Sequence, residues 1–211
     1  MSLITSLVIV VALLMSMTSA QSNVTCDQPS SSFYSLSGTL INGTKFDFNQ
    51  LQNKVVLIVN TASFDDMTND TYINLNLLMD KFGPQEFAIL GFTSAQFNNE
   101  EPGHNNQQVL MCLKHVCPGR GYEPNFQLFE KTDVNGPSTS PVFAWLKSGC
   151  GPSSPTLMAT DLISWTPVLY NDIEGNFAKF LISKTGTLFA RFSIDTLAQD
   201  LSGVISSLLS Q

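Results

Sequence analysis

The sequence is poor in charged residues, and above all in basic ones. Charged side chains make up 13% of the 211 residues, and 10 Lys and Arg residues stand against 17 Asp and Glu residues, a formal net charge of −7. This composition offers no basic patch to nucleic acid or to an anionic membrane surface, so we predict neither partner. A mildly acidic surface also does not attract small anionic substrates. No cysteine spacing matches a zinc site, and we predict neither a metal nor a cofactor.

The first 20 residues contain no charged side chain. Their apolar run, from Leu3 to Met15, is shorter than the roughly 20 residues that span a bilayer, and it is followed by the small residues Ser19 and Ala20. This pattern predicts a cleaved signal peptide over residues 1–20. An uncleaved anchor is the alternative, because Lys and Arg are missing at the start. No later run is long and apolar enough to span a membrane, so we expect a secreted, extracellular protein.

The sequons and the cysteines of the chain are consistent with export from the cell. Three sequons predict glycosylation, and they begin at Asn23, Asn42 and Asn69. Four cysteines would tend to be oxidised outside the cell, namely Cys26, Cys112, Cys117 and Cys150. Four cysteines allow three pairings, and the sequence alone does not choose among them.

Hydrophobic periodicity predicts one α/β domain. Residues 21–32 are polar and are predicted to form a flexible N-terminal arm, and Asn42-Gly43 is the strongest hairpin-turn signal in the chain. The predicted strands cover residues 54–60, 87–92, 177–183 and 188–194, with a short strand within 122–134. One predicted helix ends at Gly83, and three others cover residues 105–116, 143–146 and 197–209. Strands alternating with helices predict a thioredoxin-like fold over residues 33–211, with a central mixed sheet flanked by helices.

The stretch from Leu57 to Thr68, LIVNTASFDDMT, is an apolar strand that runs into a polar loop just before a helix. Such a loop lies at the carboxyl end of a sheet strand, where ligands usually bind. The N-terminus of the following helix favours an anion there. The loop contains Asp65 and Asp66 but no cysteine. The simplest interpretation is structural, because Asp at this position accepts backbone N–H groups and stabilises the helix by about 1 kcal/mol.

Four segments resemble the glutathione peroxidase family, in the family's order. They are LIVNTASFDDMT at 57–68, LGFTSAQF at 90–97 with EPG at 101–103, PNFQLFEKTDVNG at 124–136, and GNF at 175–177. The resemblance runs from about Phe33 to the C-terminus and implies the family's thioredoxin-like fold. It also implies reduction of peroxides by a thiol donor. Residues 140–170 resemble the insertion of the tetrameric members, which implies a homotetramer.

The resemblance also implies that the family's reactive centre is altered in this chain. Asp65 stands where the family has its peroxidatic selenocysteine or cysteine, and Gly175 stands where the family has a tryptophan. The family's glutamine and asparagine correspond to Gln96 and Asn176, which are either remnants of the site or parts of the loop framework. A carboxylate is ionised at neutral pH, but it is a weak nucleophile without a reversible oxidation ladder. We therefore expect that the family cycle does not run on Asp65.

Glutathione recognition is also expected to be weak. Tetrameric members have an arginine where this chain has Cys117, and of the basic residues in their last strand and turn only Arg191 remains. Each lost arginine removes a bidentate partner for a carboxylate. Two hypotheses follow. The first is a catalytically impaired extracellular protein with a binding or structural role. The second is an antioxidant peroxidase that reduces hydrogen peroxide or organic hydroperoxides with glutathione or thioredoxin through an unrecognised thiol.

Overall fold

The computed structural model describes residues 23–156, 159 and 162–211. The predicted signal peptide, residues 1–20, lies outside the described residues. The strands are β1 (Asn23–Thr25), β2 (Ser37–Thr39), β3 (Lys45–Asp47), β4 (Val55–Thr61), β5 (Phe87–Thr93), β6 (Gln127–Phe129), β7 (Lys179–Ile182) and β8 (Leu188–Phe192). The α-helices are α1 (Thr68–Phe82), α2 (Asn106–His115), α3 (Pro141–Gly149) and α4 (Ser202–Leu209).

A mixed sheet forms the centre of the molecule, as predicted. Its strand order is β1-β8-β7-β4-β5-β6. Strand β4 runs parallel to β5, and β5 runs parallel to β6, whereas β7 pairs antiparallel with both β4 and β8. The predicted hairpin around Asn42-Gly43 is present as the separate antiparallel pair β2–β3, and Gly43 takes the positive φ of 85° that its turn requires.

Strand β4 is buried along its whole length because it has a hydrophobic cluster on each face. Val55, Leu57 and Val59 point into the cluster that contains the apolar faces of α1, α2 and α4. Val56 and Ile58 point into the cluster formed with α3 and the aromatic residues around β3. Burying each of these side chains contributes roughly 1.5–3 kcal/mol, which explains the uninterrupted apolar run in the sequence.

The helices follow the predicted pattern with two changes of length. Helix α3 extends beyond the predicted residues 143–146, because Ser140 accepts the N–H of Phe143 and Pro141 occupies the first turn. The closing helix divides into a 3₁₀ turn, Ala198–Leu201, and α4. Within the described residues, none of the helices combines the length and hydropathy needed to cross a bilayer.

Residues 23–32, the described part of the predicted flexible arm, are attached to the rest of the domain. β1 pairs antiparallel with β8, with Val24 opposite Arg191. Cys26 is bonded to Cys150, which selects one of the possible disulfide pairings. Trp145 also donates its indole N–H to the main-chain oxygen of Ser31 at 2.8 Å. The prediction was wrong because an edge strand and a disulfide need distant partners rather than local hydrophobic periodicity.

Two buried ion pairs hold residues 171–175 against the core. Lys147 on α3 lies 2.9 Å from Asp172, and Arg191 on β8 pairs with Glu174. The arginine is 0% exposed. Its guanidinium also donates to three main-chain oxygens, those of Gly151, Asn171 and Asp172. These extra hydrogen bonds offset part of the free energy that the charges lose on leaving water.

We predict that the Cys26–Cys150 disulfide stabilises the protein by closing a loop of 124 residues in sequence. Replacing both cysteines (Cys26→Ser with Cys150→Ser) should lower the free energy of unfolding by about 2–5 kcal/mol in urea titrations, because the unfolded chain gains freedom. The matched control is Cys112→Ser with Cys117→Ser, since these cysteines are free. The control should change stability by less than about 1 kcal/mol. Equal unfolding midpoints for the two variants would contradict the prediction.

A second prediction concerns the Arg191–Glu174 pair. Arg191→Met should destabilise the protein by about 3–5 kcal/mol, because it leaves the Glu174 carboxylate buried without its cation. Adding Glu174→Gln removes that charge, so the double variant should be more stable than Arg191→Met alone. Urea unfolding of the three proteins measures both differences. A double variant less stable than the single one would refute this account of the pair.

Candidate functional site

Three loops meet at the carboxyl ends of β4 and β5, where the sequence predicted a site. They cover residues 62–67, 94–105 and 173–178. The main-chain N–H groups of Ser63 and Phe64 donate to the carbonyl of Glu100 at 3.2 and 3.0 Å. The Ser63 hydroxyl also donates to the buried carboxylate of Glu101 at 2.5 Å. The loop after β4 and the loop after β5 are therefore joined by both main-chain and side-chain hydrogen bonds.

The third loop is attached to the end of β4 through Asn60. The side-chain amide of Asn60 donates to the carbonyl of Gly175 at 2.9 Å, and its main-chain oxygen accepts the N–H of Phe177 at 2.8 Å. Phe177 has a positive φ of 66°, which is uncommon outside glycine. This tight connection places Asn176 directly over the start of the loop that carries Asp65.

Asp65 is half-buried, and both of its carboxylate oxygens accept hydrogen bonds. Oδ1 accepts the main-chain N–H of Met67 at 2.7 Å, and Oδ2 accepts the amide of Asn176 at 3.2 Å. The expected backbone hydrogen bond is therefore present, just before α1 begins at Thr68. Asp66 is exposed. The carboxylate stands at the helix N-terminus, where the helix dipole favours an anion.

Glu100 is a member of the site that the sequence analysis missed. The amide of Asn176 donates to Glu100 Oε2 at 2.7 Å as well as to Asp65, so it bridges two carboxylates. Burial and the nearby Asp65 raise the pKa of Glu100, and its hydrogen bond from Asn98 acts in the opposite direction. The signal available in the sequence was its position in the loop after β5, at the same edge as Asp65.

Gly175 stands where the family resemblance expects a tryptophan, and Ile194 lies close to it. A methyl group built on Gly175 would lie 3.1 Å from Ile194 Cδ1 and 3.5 Å from Ile194 Cγ2. These contacts are tight but fall on the movable end of a side chain. A tryptophan at this position would therefore require Ile194 to move.

Gln96 does not join Asp65. Its amide nitrogen donates to the carbonyl of Asn135 at 2.9 Å, and its oxygen accepts the N–H groups of Val134 and Asn135 at 2.8 and 2.9 Å. Asn135 in turn exchanges hydrogen bonds with Ile173 and accepts one from Lys147. Of the two interpretations left open by the sequence, Gln96 fits the loop framework.

The expected substrate-binding role of Arg191 is corrected to a structural one. Its side chain is 0% exposed, and its guanidinium is bonded to Glu174 and to main-chain oxygens. A dissolved peptide therefore finds no accessible part of this cation. A sequence alone does not distinguish a buried arginine from an exposed one, because burial depends on long-range packing.

Asp65 lies in the wall of a cleft of about 390 Å³. The described lining residues are Asp65, Met67, Phe97, Asn98, Glu100, Leu162, Glu174, Gly175, Asn176, Phe177, Ile194 and Asp195. These residues include four carboxylates but no cysteine. Within the described residues, no group of three or more His, Cys, Asp and Glu side chains is placed to hold a metal ion. The cleft can therefore accept hydrogen bonds readily, but its lining residues carry no thiolate.

Lys179 is buried behind the wall of this cleft. Its ammonium donates to the main-chain oxygens of Phe177 and Ile194 at 2.6 and 3.4 Å. Burial lowers the pKa of Lys179 to about 8, whereas Asp195, Glu174 and Asp65 act to raise it. This cation offsets part of the negative charge of the cleft.

The two free cysteines lie near the end of α2, outside the cleft lining. Cys112 and Cys117 are both partly buried, and Cys112 lines an apolar groove of about 490 Å³ together with Phe64. Burial raises the pKa of the Cys112 thiol, and the nearby Glu101 adds to the effect. A raised pKa reduces the thiolate fraction at neutral pH and hence the nucleophilicity of this cysteine.

The three predicted glycosylation sites are all exposed. Asn23 lies on the edge strand β1, Asn42 lies in the hairpin turn, and Asn69 lies in the first turn of α1. Each side chain is therefore accessible to a modifying enzyme. Occupancy by a glycan stays a prediction.

Comparison with known proteins identifies the family to which this chain is similar. The family model described as glutathione peroxidase matches residues 33–147. Glutathione peroxidase 1 of Bos taurus is 41% identical over 176 residues, which cover 82% of this chain and 85% of that protein. Glutathione peroxidase 3 of Hylobates lar is 42% identical over 164 residues, covering 77% of this chain and 72% of that protein.

Solved structures support the fold. The crystal structure of Trgpx in apo form matches with a TM-score of 0.61 and 26% identity over 87% of this chain and 98% of that one. T. cruzi GPX1 matches with a TM-score of 0.57 and 26% identity over 85% of this chain and 97% of that one. A thioredoxin-family thiol:disulfide interchange protein from Chlorobium tepidum, with a TM-score of 0.55 and 12% identity over 87% of this chain and 99% of that one, shows the shared fold alone. The family match, these identities and the fold together show that the chain belongs to the glutathione peroxidase family.

Proposed function

We propose that this protein is an extracellular member of the family that does not turn over peroxide and that uses the cleft at Asp65 for binding. One observation carries the proposal: a carboxylate, held by Met67 and Asn176, occupies the position of the peroxidatic atom. The family reaction needs a soft, ionised atom that attacks the O–O bond and is then returned by thiols to its starting state. A carboxylate has no such cycle.

The surroundings of Asp65 support the same proposal. Gly175 provides no indole N–H, and Gln96 is bonded to the loop at Val134–Asn135 rather than to Asp65. Two of the family's three orienting groups are thus missing from the reacting position. Asn176 remains there, but it stabilises the pair of carboxylates Asp65 and Glu100.

Secretion is part of the proposal and rests on separate observations. The pattern of residues 1–20 is typical of a signal peptide. The Cys26–Cys150 disulfide is of the kind that persists in oxidising compartments, and the asparagines of all three sequons are exposed. A glycan on Asn69 would lie about one helical turn from Asp65 and hinder access. Residues 140–170 resemble the insertion of tetrameric members, so a homotetramer is proposed as well.

A second candidate function is an antioxidant peroxidase that uses Cys112. The observation in its favour is that Cys112 and Cys117 are free and lie near the same end of α2. A Cys112 thiolate would attack hydrogen peroxide or an organic hydroperoxide, forming a sulfenic acid and releasing water or alcohol. Cys117 or glutathione would then form a disulfide and release water, and a thiol donor such as glutathione or thioredoxin would reduce it. The raised pKa of Cys112 makes this the weaker candidate.

We predict that the wild-type protein does not exceed a no-protein control in a coupled assay with hydrogen peroxide and either glutathione or thioredoxin. The physical reason is the absence of a thiol among the described residues that line the cleft. Turnover that disappears both on alkylation and in Cys112→Ser with Cys117→Ser would overturn the proposal and establish the second candidate. Cys26→Ser with Cys150→Ser is not a suitable control here, because it removes a disulfide.

A gain-of-function experiment tests whether only the chemistry has been removed. In a Cys112→Ser, Cys117→Ser background, Asp65→Cys supplies a thiol at the helix N-terminus, and Gly175→Trp with Ile194→Ala supplies the indole and the space for it. We expect the full combination to be at least about tenfold faster than Asp65→Cys alone, because a positioned N–H donor stabilises developing charge. Dimedone labelling after peroxide treatment measures the sulfenic acid directly. Equal rates and equal labelling would show that the framework has lost more than these side chains.

A further inference from the structure

The cleft at Asp65 contains more carboxylates than cations. Its four acidic lining residues are Asp65, Glu100, Glu174 and Asp195. Glu174 is neutralised by its ion pair with Arg191. Lys179 compensates a further charge from behind the wall, where its ammonium is held by the main-chain oxygens of Phe177 and Ile194. In the described part of the chain the cleft therefore keeps a net negative charge.

Asn176 adds an unused hydrogen-bond acceptor to this charge. Its side chain is 5% exposed and lines the cleft, and its amide nitrogen donates to both Asp65 and Glu100. Its Oδ1 is buried and accepts no hydrogen bond from any described residue. A buried amide oxygen without a donor is uncommon in folded proteins. The carboxylate oxygens of Asp65 and Glu100 can also accept further hydrogen bonds, because each oxygen has two lone pairs.

The cleft also has apolar walls, and it has room for an aliphatic chain. Its volume is about 390 Å³, and its apolar lining residues are Met67, Phe97, Leu162, Phe177 and Ile194. Gly175 contributes no side chain to this lining. A ligand that fits this lining has an apolar stem and a head group that carries several donors and a positive charge. A strongly hydrated metal ion would make no use of the apolar walls.

We propose that this cleft binds a primary alkylammonium group, either of a free aliphatic amine or of a lysine side chain. An ammonium has three N–H donors and no acceptor, which matches Asp65, Glu100 and Asn176 Oδ1. The alkyl stem lies along Met67 and Ile194. The inference rests on the proposed function, because it assigns a ligand class to the cleft in which Asp65 replaces the peroxidatic residue.

Calorimetric titration of the full mature chain at low salt with n-pentylammonium chloride tests the proposal. We expect saturable binding of n-pentylammonium and none of 1-pentanol, which has the same stem without the charge. Binding should also shift the side-chain amide resonances of Asn176 in ¹⁵N-correlated NMR spectra, since its oxygen gains a donor. High salt should weaken the binding, because the interaction between charges is screened.

Charge-removing variants locate the binding site. Glu100→Gln and Asp65→Asn should each weaken binding of n-pentylammonium by about tenfold, because each removes one of the charged acceptors. The matched control is Glu130→Gln, which makes the same change at an exposed position outside the cleft lining. The control should bind within about twofold of wild type, since an exposed charge outside the cleft lining is largely screened.

A pair of peptides distinguishes the two sources of the ammonium. One peptide contains a single lysine and has an acetylated N-terminus, and the other has that lysine acetylated as well. If n-pentylammonium and the first peptide bind but the acetylated peptide does not, the cleft is assigned to a lysine of a protein partner. If n-pentylammonium binds and neither peptide does, the cleft is assigned to a free amine. Both results support the proposed ligand class.

Three results would overturn the inference. They are no saturable binding of n-pentylammonium, equal binding of 1-pentanol, and equal weakening by Glu100→Gln and Glu130→Gln. The proposed function is tested independently by the peroxide assay. If the amine does not bind and peroxide is not turned over, only the ligand assignment fails. If peroxide is turned over through a thiol, the proposed function fails whatever the amine does.

Discussion

The buried ion pairs Asp172–Lys147 and Glu174–Arg191 are the interactions on which the site geometry depends. Both acidic partners belong to the segment that leads into Gly175 and Asn176, and both cations belong to regular elements of the core. A buried charge without its partner is strongly unfavourable, so this segment has few alternative positions. The amide of Asn176 is thereby held against Asp65. This loop is therefore held in a defined position although it lies outside the sheet.

The same edge of the fold favours negative charge through local physics. The start of α1 presents its N–H groups to the loop, and Met67 and Asn176 supply donors to Asp65. In the family this environment serves a selenolate or thiolate, and here a carboxylate occupies it. In the proposed function, this substitution keeps the electrostatic environment and removes the redox chemistry. The carboxylate of Glu100 and the absence of a side chain at Gly175 leave an acidic, partly apolar cleft.

Much of the fold could be predicted because its signals are local. The apolar run of β4, the helical spacing of α1 and the turn at Asn42-Gly43 depend on neighbouring residues alone, and the structure confirms each of them. The N-terminal segment could not be predicted in this way. Its order comes from pairing with β8 and from a disulfide across 124 positions, which leave no periodic trace in a polar stretch.

For the site, the sequence alone predicted which atoms are available to react, because Asp65 and Gly175 supply neither a thiol nor an indole N–H. It also predicted that the loop with Asp65 lies at the carboxyl edge of the sheet. Which side chains share the cleft depends on the tertiary structure. It joined Glu100 to Asp65 through Asn176, turned Gln96 towards Asn135 and buried Arg191 completely. The physical reason is that the burial and the hydrogen-bond partners of a side chain depend on long-range packing. The functional groups available for a reaction depend on the residue type alone.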